Sequence, residues 1–157
     1  MHDRTDNGAS LKMLTLIDEY SRQCLKIRPA RQLKSKDVLD ALAEAMAERG
    51  VPAYIRSDNG SEFIARDVQD WLAETGIRTI YIDPGSPWQN PYVESFHNRL
   101  RDECLNQELF LSVAEARVVI EEWRRFYNRV HPHSGLGFQS PDDFARTMAN
   151  LEPVPGT

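Results

Sequence analysis

Two acidic residues of the 157-residue sequence stand where a carboxylate can do chemistry. Asp58 directly follows a short apolar run, residues 53–57 (AYIRS), that reads as a strand. It therefore sits at the carboxyl end of that strand, where open α/β sheets tend to bind ligands. Glu94 falls in the first turn of a helix predicted from about Pro91. Thirty-five residues lie between the two, and they read as one helix, one strand and one loop, which can return the chain to the same end of the sheet. Two hard oxygen donors at one sheet edge suit Mg²⁺. Two such ions about 3.5–4 Å apart stabilise both the attacking and the leaving oxygen of a phosphodiester displacement. Each residue alone is ordinary: Asp-Asn-Gly is a common turn, and the helix macrodipole favours a glutamate in a first turn. It is the pair that points to phosphate chemistry.

On the helix that carries Glu94, Asn98 and Arg101 share its face one and two turns on, with His97 beside them. Carboxylate, amide and guanidinium in that order suit a strip where metal gives way to nucleic-acid phosphate; the competing reading is an exposed polar helix face. A second basic feature runs over residues 21–36, with Arg22, Lys26, Arg28, Arg31, Lys34 and Lys36 and no acid. A phosphate backbone can lie along such a stretch, as can solvent along a strand edge.

The elements that must position these groups follow from pattern. Residues 11–18 (LKMLTLID) and 24–28 (CLKIR) read as an antiparallel hairpin. Ser35 is read as the cap of a helix to about Arg49 with Val38, Leu39, Leu42, Ala45 and Met46 on one face, stopped by Gly50 and Pro52. After the strand at 53–57 come an Asp58-Asn59-Gly60 turn, a helix over 65–75 with Val68, Trp71 and Leu72 inward, and a strand over 78–82. The segment 83–91 (DPGSPWQNP) is a loop. The next helix turns Val93, Phe96 and Leu100 inward. Ser112 and Glu115 form a capping box for a last helix to about Arg129, with Val118 or Val119, Trp123 and Phe126 inward. From His131 the chain is expected to be loosely ordered. The order describes an α/β fold, a mixed sheet flanked by helices.

Composition is that of one globular domain, 41% hydrophobic and 27% charged. The net charge of −5 argues against a strong non-specific nucleic-acid binder. No apolar run of about 18 residues predicts a membrane helix. Cys24 and Cys104 have no metal-type spacing and read as reduced thiols in cytoplasm. His131 and His133 make a weak second metal motif, and Trp88, in the loop before Glu94, suits either stacking on a base or packing the loop.

IRSDNGSEF (55–63), YIDPGSPWQNPYVESFHNRLRDECLN (81–106) and EEWRRFYNRVHPHSGLGFQSP (121–141) closely resemble transposases of the insertion-sequence three family, which carry an integrase core like that of retroviruses. Residues 14–25 (LTLIDEYSRQCL) are similar to that family's second and third strands. The resemblance covers about residues 1–145, leaving 146–157 as a flexible tail. It implies an RNase H-like fold and an Asp-Asp-Glu triad in which Asp58 is the second aspartate and Glu94 the glutamate. It implies two Mg²⁺ (or Mn²⁺) ions, cleavage of transposon ends, strand transfer into target DNA, and a homo-oligomer in the cytoplasm, on the nucleoid when bound. Asp58 and Glu94 are then the catalytic and metal-binding residues, and His97, Asn98, Arg101, Arg22, Lys34 and Lys36 the DNA-binding ones.

The family's first aspartate belongs on its first strand, in a pattern like Asp-Phe-X-His-Asp, and His2-Asp3 fits the end of that pattern. The catalytic aspartate is thereby expected two positions before Met1, which leaves a truncated first strand, no helix-turn-helix reader, and an inactive chain. Asp3 would stand about 13 Å along the strand from the missing position, too far to replace it, and Asp18 is expected to cap the hairpin turn. Two other readings stay open: a non-catalytic DNA- or transposase-binding remnant, and a nuclease that hydrolyses without joining.

Overall fold

The computed structural model describes residues 1–58, 60–83 and 85–151. Position 59 of the expected turn, position 84 of the expected loop and positions 152–157 of the expected tail lie outside the described residues. The chain runs β1 (His2–Arg4), β2 (Ser10–Ile17), β3 (Cys24–Ala30), α1 (Ser35–Arg49), β4 (Tyr54–Ser57), α2 (Ser61–Ile64), α3 (Arg66–Glu74), β5 (Arg78–Tyr81), α4 (Pro91–Glu103), α5 (Val113–Val130) and α6 (Pro141–Leu151).

The hairpin forms as expected, and a short β1 pairs antiparallel with β2 on its other edge, His2 opposite Lys12. β4 and β5 pair in parallel, Ile55 opposite Thr79. The mixed α/β character holds, but hydrogen bonding divides the strands into a three-stranded antiparallel sheet, β1-β2-β3, and a two-stranded parallel one, β4-β5.

Strand alternation decides where the core sits. Leu11 and Met13 of β2 face one way, into a cluster with Phe96 and Leu100 of α4 and Ile120, Trp123 and Tyr127 of α5. Leu14 faces the other way, into a cluster with Val38 and Leu42 of α1 and Val68 and Leu72 of α3. Helices thus cover both faces of the antiparallel sheet.

Four sequence expectations need correction. Ser35 is the first residue of α1 rather than its cap: Lys34 takes that place, its N–H donating to the Asp37 carboxylate at 2.8 Å, while the Ser35 hydroxyl donates to Asp67 at 2.9 Å. The helix expected over 65–75 forms as α3, but it is preceded by a short helix the sequence did not suggest, α2, set off from it at Ala65, whose ψ of 140° is extended. On α5 the buried stripe is Ala116, Ile120, Trp123 and Tyr127. Val118 is therefore 61% exposed and Phe126 44% exposed, with Val119 only partly buried. The Ser112 cap itself forms, its hydroxyl accepting the Glu115 N–H at 3.1 Å.

The fourth concerns the chain beyond His131, which is ordered through Leu151: a bridge pairs His133 with Gln139, and α6 follows. Buried Gln23 holds α6 in place by donating to Asp142 at 2.9 Å, and Tyr20 packs edge-on against Phe144. Gly50 and Gly76, at φ 87° and 78°, end α1 and α3 in the left-handed region that glycine adopts without strain. No described helix is long and apolar enough to cross a membrane.

α5 is fastened to the start of β3 by one side chain. Asn128, buried, accepts the Cys24 N–H at 2.7 Å and donates to the Cys24 carbonyl at 2.8 Å. Asn128→Ala leaves that buried N–H without a partner and is expected to lower the unfolding free energy by about 2–3 kcal/mol, read from urea unfolding. A loss under about 0.5 kcal/mol, the scale of a surface substitution, would show that the clamp carries little.

Candidate active site

The site is built on the end of β4 and the start of α4. β4 ends at Ser57, and the Asp58 carboxylate folds back to accept the Gly60 N–H at 2.8 Å. A Cβ at position 60 would stand 3.0 Å from that same Asp58 oxygen and 3.2 Å from both carboxylate oxygens of Glu62. Glycine is therefore what lets the two acids close around this turn. Glu62, in the first turn of α2, is a third carboxylate beside Asp58 that the sequence reading passed over. Its signal was present in the SDNGSEF motif, as an acid two residues after the glycine.

Pro91 opens α4, and Glu94 lies in its first turn with its N–H donating to the Asn90 carbonyl at 3.1 Å. Asp58, Glu62, Glu94, Asn90 and His97 all line one cleft of about 720 Å³ between β2 and β4. Asp58 and Glu94 are both exposed to it. The expected pair is thus brought to one cleft. Among the described residues, no group of three His, Cys, Asp or Glu side chains is placed to hold a metal ion.

The proposed DNA-binding residues divide. Asn98 and Arg101 are exposed on α4. His97 is instead turned onto β2, its Nε2 2.8 Å from the Thr15 hydroxyl. Burial, followed by the positive charges of the Met1 amino group and Arg101, pushes its pKa down to about 4. It is a neutral imidazole at ordinary pH, not a cation for phosphate. Arg22, held at φ 65°, stacks its guanidinium 3.8 Å above the Tyr92 ring, near the start of α4. Lys34 and Lys36 are exposed at the start of α1, next to Leu33 of the cleft wall.

Three of the other basic residues in the 21–36 stretch have partners within the protein. Lys26 and Arg28 pair with Glu44, and Arg31 donates to Thr5, Ala9 and Ser10. No unbroken basic stripe remains.

Asp3 pairs opposite Leu11 on β1 and is not part of the cleft wall. Asp18 caps the hairpin turn as expected, accepting from Tyr20, from the Ser21 N–H and from the Ser21 hydroxyl. Trp88 is 72% exposed in a short 3-10 turn, Pro87–Gln89. His131 lies 2.9 Å from Glu103 and 2.9 Å from Arg99, joining the end of α5 to α4. Both cysteines are buried and free.

Two descriptions of an integrase core domain match this sequence, one over residues 1–87 and the other over residues 75–141. The chain belongs to the integrase core domain family. Its relatives are insertion-element proteins. It is 42% identical over 156 residues to the insertion element IS476 uncharacterized 39.2 kDa protein of Xanthomonas euvesicatoria, covering 98% of this chain and 45% of the relative. It is 30% identical over 144 residues to transposase InsF for insertion sequence IS3A of Escherichia coli, covering 90% of this chain and 50% of that protein. The chain therefore spans about half the length of these relatives. Among solved structures, it superposes on the HTLV-2 integrase catalytic core domain in complex with magnesium, in its trimeric form, with a TM-score of 0.63 at 15% identity. That match covers 92% of this chain and 90% of the other. The RNase H-like fold and the likeness to insertion-sequence three transposases are both borne out.

A pH dependence follows from the buried imidazoles. His133, whose Nε2 is buried without a partner, is also pushed down to about 4, by burial first and then by His131, Arg99 and Arg22. An unfolded histidine titrates near about 6.5. His97 and His133 thus stay neutral in the folded chain over a range where they are charged once unfolded. Their stability contribution is whole above the unfolded pKa and is lost as pH falls through the window between the two values. The urea midpoint is expected to drop between about pH 7 and about pH 4.5, with the drop reduced in His97→Asn. An equal drop in that variant would remove His97 from the account.

Proposed function

We propose that this chain is the catalytic-core portion of a DNA transposase, in which Asp58 and Glu94 bind the divalent cations that serve phosphodiester cleavage and strand transfer. The observation that carries this reading is the pair itself, two carboxylates from separate elements lining one cleft. The donor set fits Mg²⁺ or Mn²⁺ in kind, since Mg²⁺ is usually held by one or two carboxylates together with substrate phosphates and water. Gly60 leaves Asp58 free to approach. When bound, two such ions supply Lewis acidity and an activated water or 3′ hydroxyl.

The chain's own residues orient the substrate around them. Asn98 and Arg101 extend from Glu94 along the exposed face of α4 and contact phosphate. Lys34 and Lys36, exposed at the start of α1, hold a further stretch of the DNA backbone, and Arg22 holds another near Tyr92. The substrates are transposon ends and target DNA, and pairing two ends calls for a homo-oligomer.

With no three-residue metal group among the described residues, Met1–Thr157 is expected to give weak or no magnesium-dependent strand transfer. Efficient joining of transposon-end DNA by this chain would refute that. Mn²⁺ titration followed by calorimetry tests the site directly. Asp58→Asn and Glu94→Gln are each expected to weaken binding by about tenfold or more, at least the scale of a lost outer-shell partner, while folding is unchanged by circular dichroism. Unaltered Mn²⁺ affinity in both variants would overturn the assignment. The exposed Lys34, Lys36 and Arg101 also suit one second reading, a DNA- or transposase-binding protein without catalysis. Its mark is a salt-dependent DNA affinity that survives Glu94→Gln in a chain with no joining activity.

A further inference from the structure

Trp88 is the tryptophan that the fold leaves in solvent. Trp123 is 8% exposed and Trp71 packs against the cluster of α1 and α3, whereas Trp88 is 72% exposed. Among the described residues no aromatic ring or guanidinium lies against its indole, and its ring N–H meets no acceptor. Its backbone is nonetheless held. The Gln89 side chain joins Asp83 twice, accepting the Asp83 N–H at 2.8 Å and donating to its carboxylate at 3.0 Å. The Gln89 N–H donates to the Ser86 carbonyl at 3.0 Å, and Arg56 of β4 donates to the Gln89 carbonyl at 3.1 Å. The turn Pro87–Gln89 is tied to itself and to β4, so it presents the indole from a fixed place.

That place is the rim of the candidate site. Ser86 and Asn90, two residues to either side, line the cleft of Asp58, Glu62 and Glu94, and Trp88 does not. Four residues on, Tyr92 is partly exposed and carries the Arg22 guanidinium 3.8 Å above its ring. Asn90 is 8% exposed, and its side-chain Oδ1 accepts no hydrogen bond among the described residues. The indole's described neighbours along the turn are polar or small: Asp83 and Gly85 are exposed and Gln89 is half-buried. They do not form the contiguous apolar surface that marks a protein interface.

We propose that Trp88 stacks on an unpaired base of the DNA whose phosphate enters the carboxylate cleft, so that the site takes an end with a single-stranded segment in preference to a closed duplex. The inference rests on the DNA reading given above and names the form of DNA that the site prefers.

A base within a duplex has both faces covered by its neighbours, so an indole finds a free face on a base that has left the stack. Proteins hold single strands by pairing aromatic platforms with cationic groups, and the stacking tolerates any sequence because every base has a π-face. Trp88 is such a platform, and Arg22 on Tyr92 is a cation on the same helix start. Unpairing a base also frees N–H groups on its pairing edge, and the Asn90 Oδ1 is an acceptor without a donor.

The probes are a DNA duplex with an unpaired thymidine tail and the same duplex without it, each titrated in Mg²⁺ at low salt into the 157-residue chain. The tailed duplex is expected to quench indole emission, and Trp88→Phe is expected to remove that quench while keeping most of the affinity. Trp88→Ala is expected to weaken binding of the tailed duplex by about tenfold or more, the scale of one lost base–aromatic stack, and to leave binding of the blunt duplex as it was. Unchanged affinity of Trp88→Ala for the tailed duplex would overturn the proposal and leave the DNA reading standing. An equal loss for both duplexes would do the same, making Trp88 a contact to paired DNA. Binding of neither duplex by the unaltered chain would overturn the proposal together with the reading beneath it. An emission change that follows protein concentration without DNA would assign Trp88 to a contact between copies and overturn the proposal alone.

Discussion

The placement of Glu94 depends on the burial of two residues that take no part in chemistry. Phe96 and Leu100 are fully enclosed between Leu11 and Met13 of β2 and Trp123 and Tyr127 of α5. Phe96 makes close ring contacts with both aromatic residues. Burying two such side chains contributes about 1.5–3 kcal/mol each. The polar tie on the same helix, Arg99 and Glu103 to His131, is partly exposed, and such pairs contribute about 0–1 kcal/mol. The apolar stripe therefore fixes the rotation of α4. Residues two apart on a helix differ by about 200°, so seating Phe96 in the core turns Glu94 out of it, toward the cleft.

Asp58 reaches the same cleft by weaker means. Among the described residues, no backbone ladder joins β4 to the antiparallel sheet. The two are held by side chains: Ile55 packs against the cluster of Leu14, Val38 and Leu42. At the hairpin end Arg56 donates to Glu19 at 2.9 Å and to the Gln89 carbonyl at 3.1 Å, while the Tyr54 hydroxyl donates to Glu19 at 3.0 Å. A ladder fixes register in steps of one residue; packing and a half-buried ion pair do not. The separation of the two carboxylates is thus less rigidly set than the position of either one.

What was legible in the sequence follows from this division. The hairpin, α1, α4 and α5 announce themselves by local periodicity, and Asp58 and Glu94 by their places at element ends. Long-range ties do not show in that way. Residues past His131 carry loop-forming Pro, Gly and Ser, and α6 docks through distant partners such as Gln23 and Tyr20, together with α5. Phe126 is as apolar as Tyr127, yet Tyr127 is the one that stacks on Trp123 and meets Phe96, so the stripe passes Phe126 by. Glu62 and Asn90 escaped notice because neither residue type is unusual where it stands. Their meaning comes from the Gly60 turn that brings Glu62 to Asp58, and from the buried side-chain Oδ1 of Asn90, which accepts no hydrogen bond among the described residues.

The net charge of −5 is compatible with a DNA-directed surface because charge acts locally. Screening limits exposed charges to a range of about 8–10 Å at ordinary salt, so the residues near the cleft matter and the total does not. Glu44 offsets Lys26 and Arg28 on the far side of β3. Glu121 likewise answers Arg124 and Arg125 on α5. Near the cleft, Arg101, Lys34 and Lys36 take part in no ion pair among the described residues, while Asp58, Glu62 and Glu94 concentrate negative charge within it. Bare, the cleft repels a phosphate; with divalent cations on its carboxylates it attracts one, and the unpaired basic groups then act in the same direction. On the proposed reading of this site, metal binding and phosphate binding are accordingly coupled, each lowering the electrostatic cost of the other.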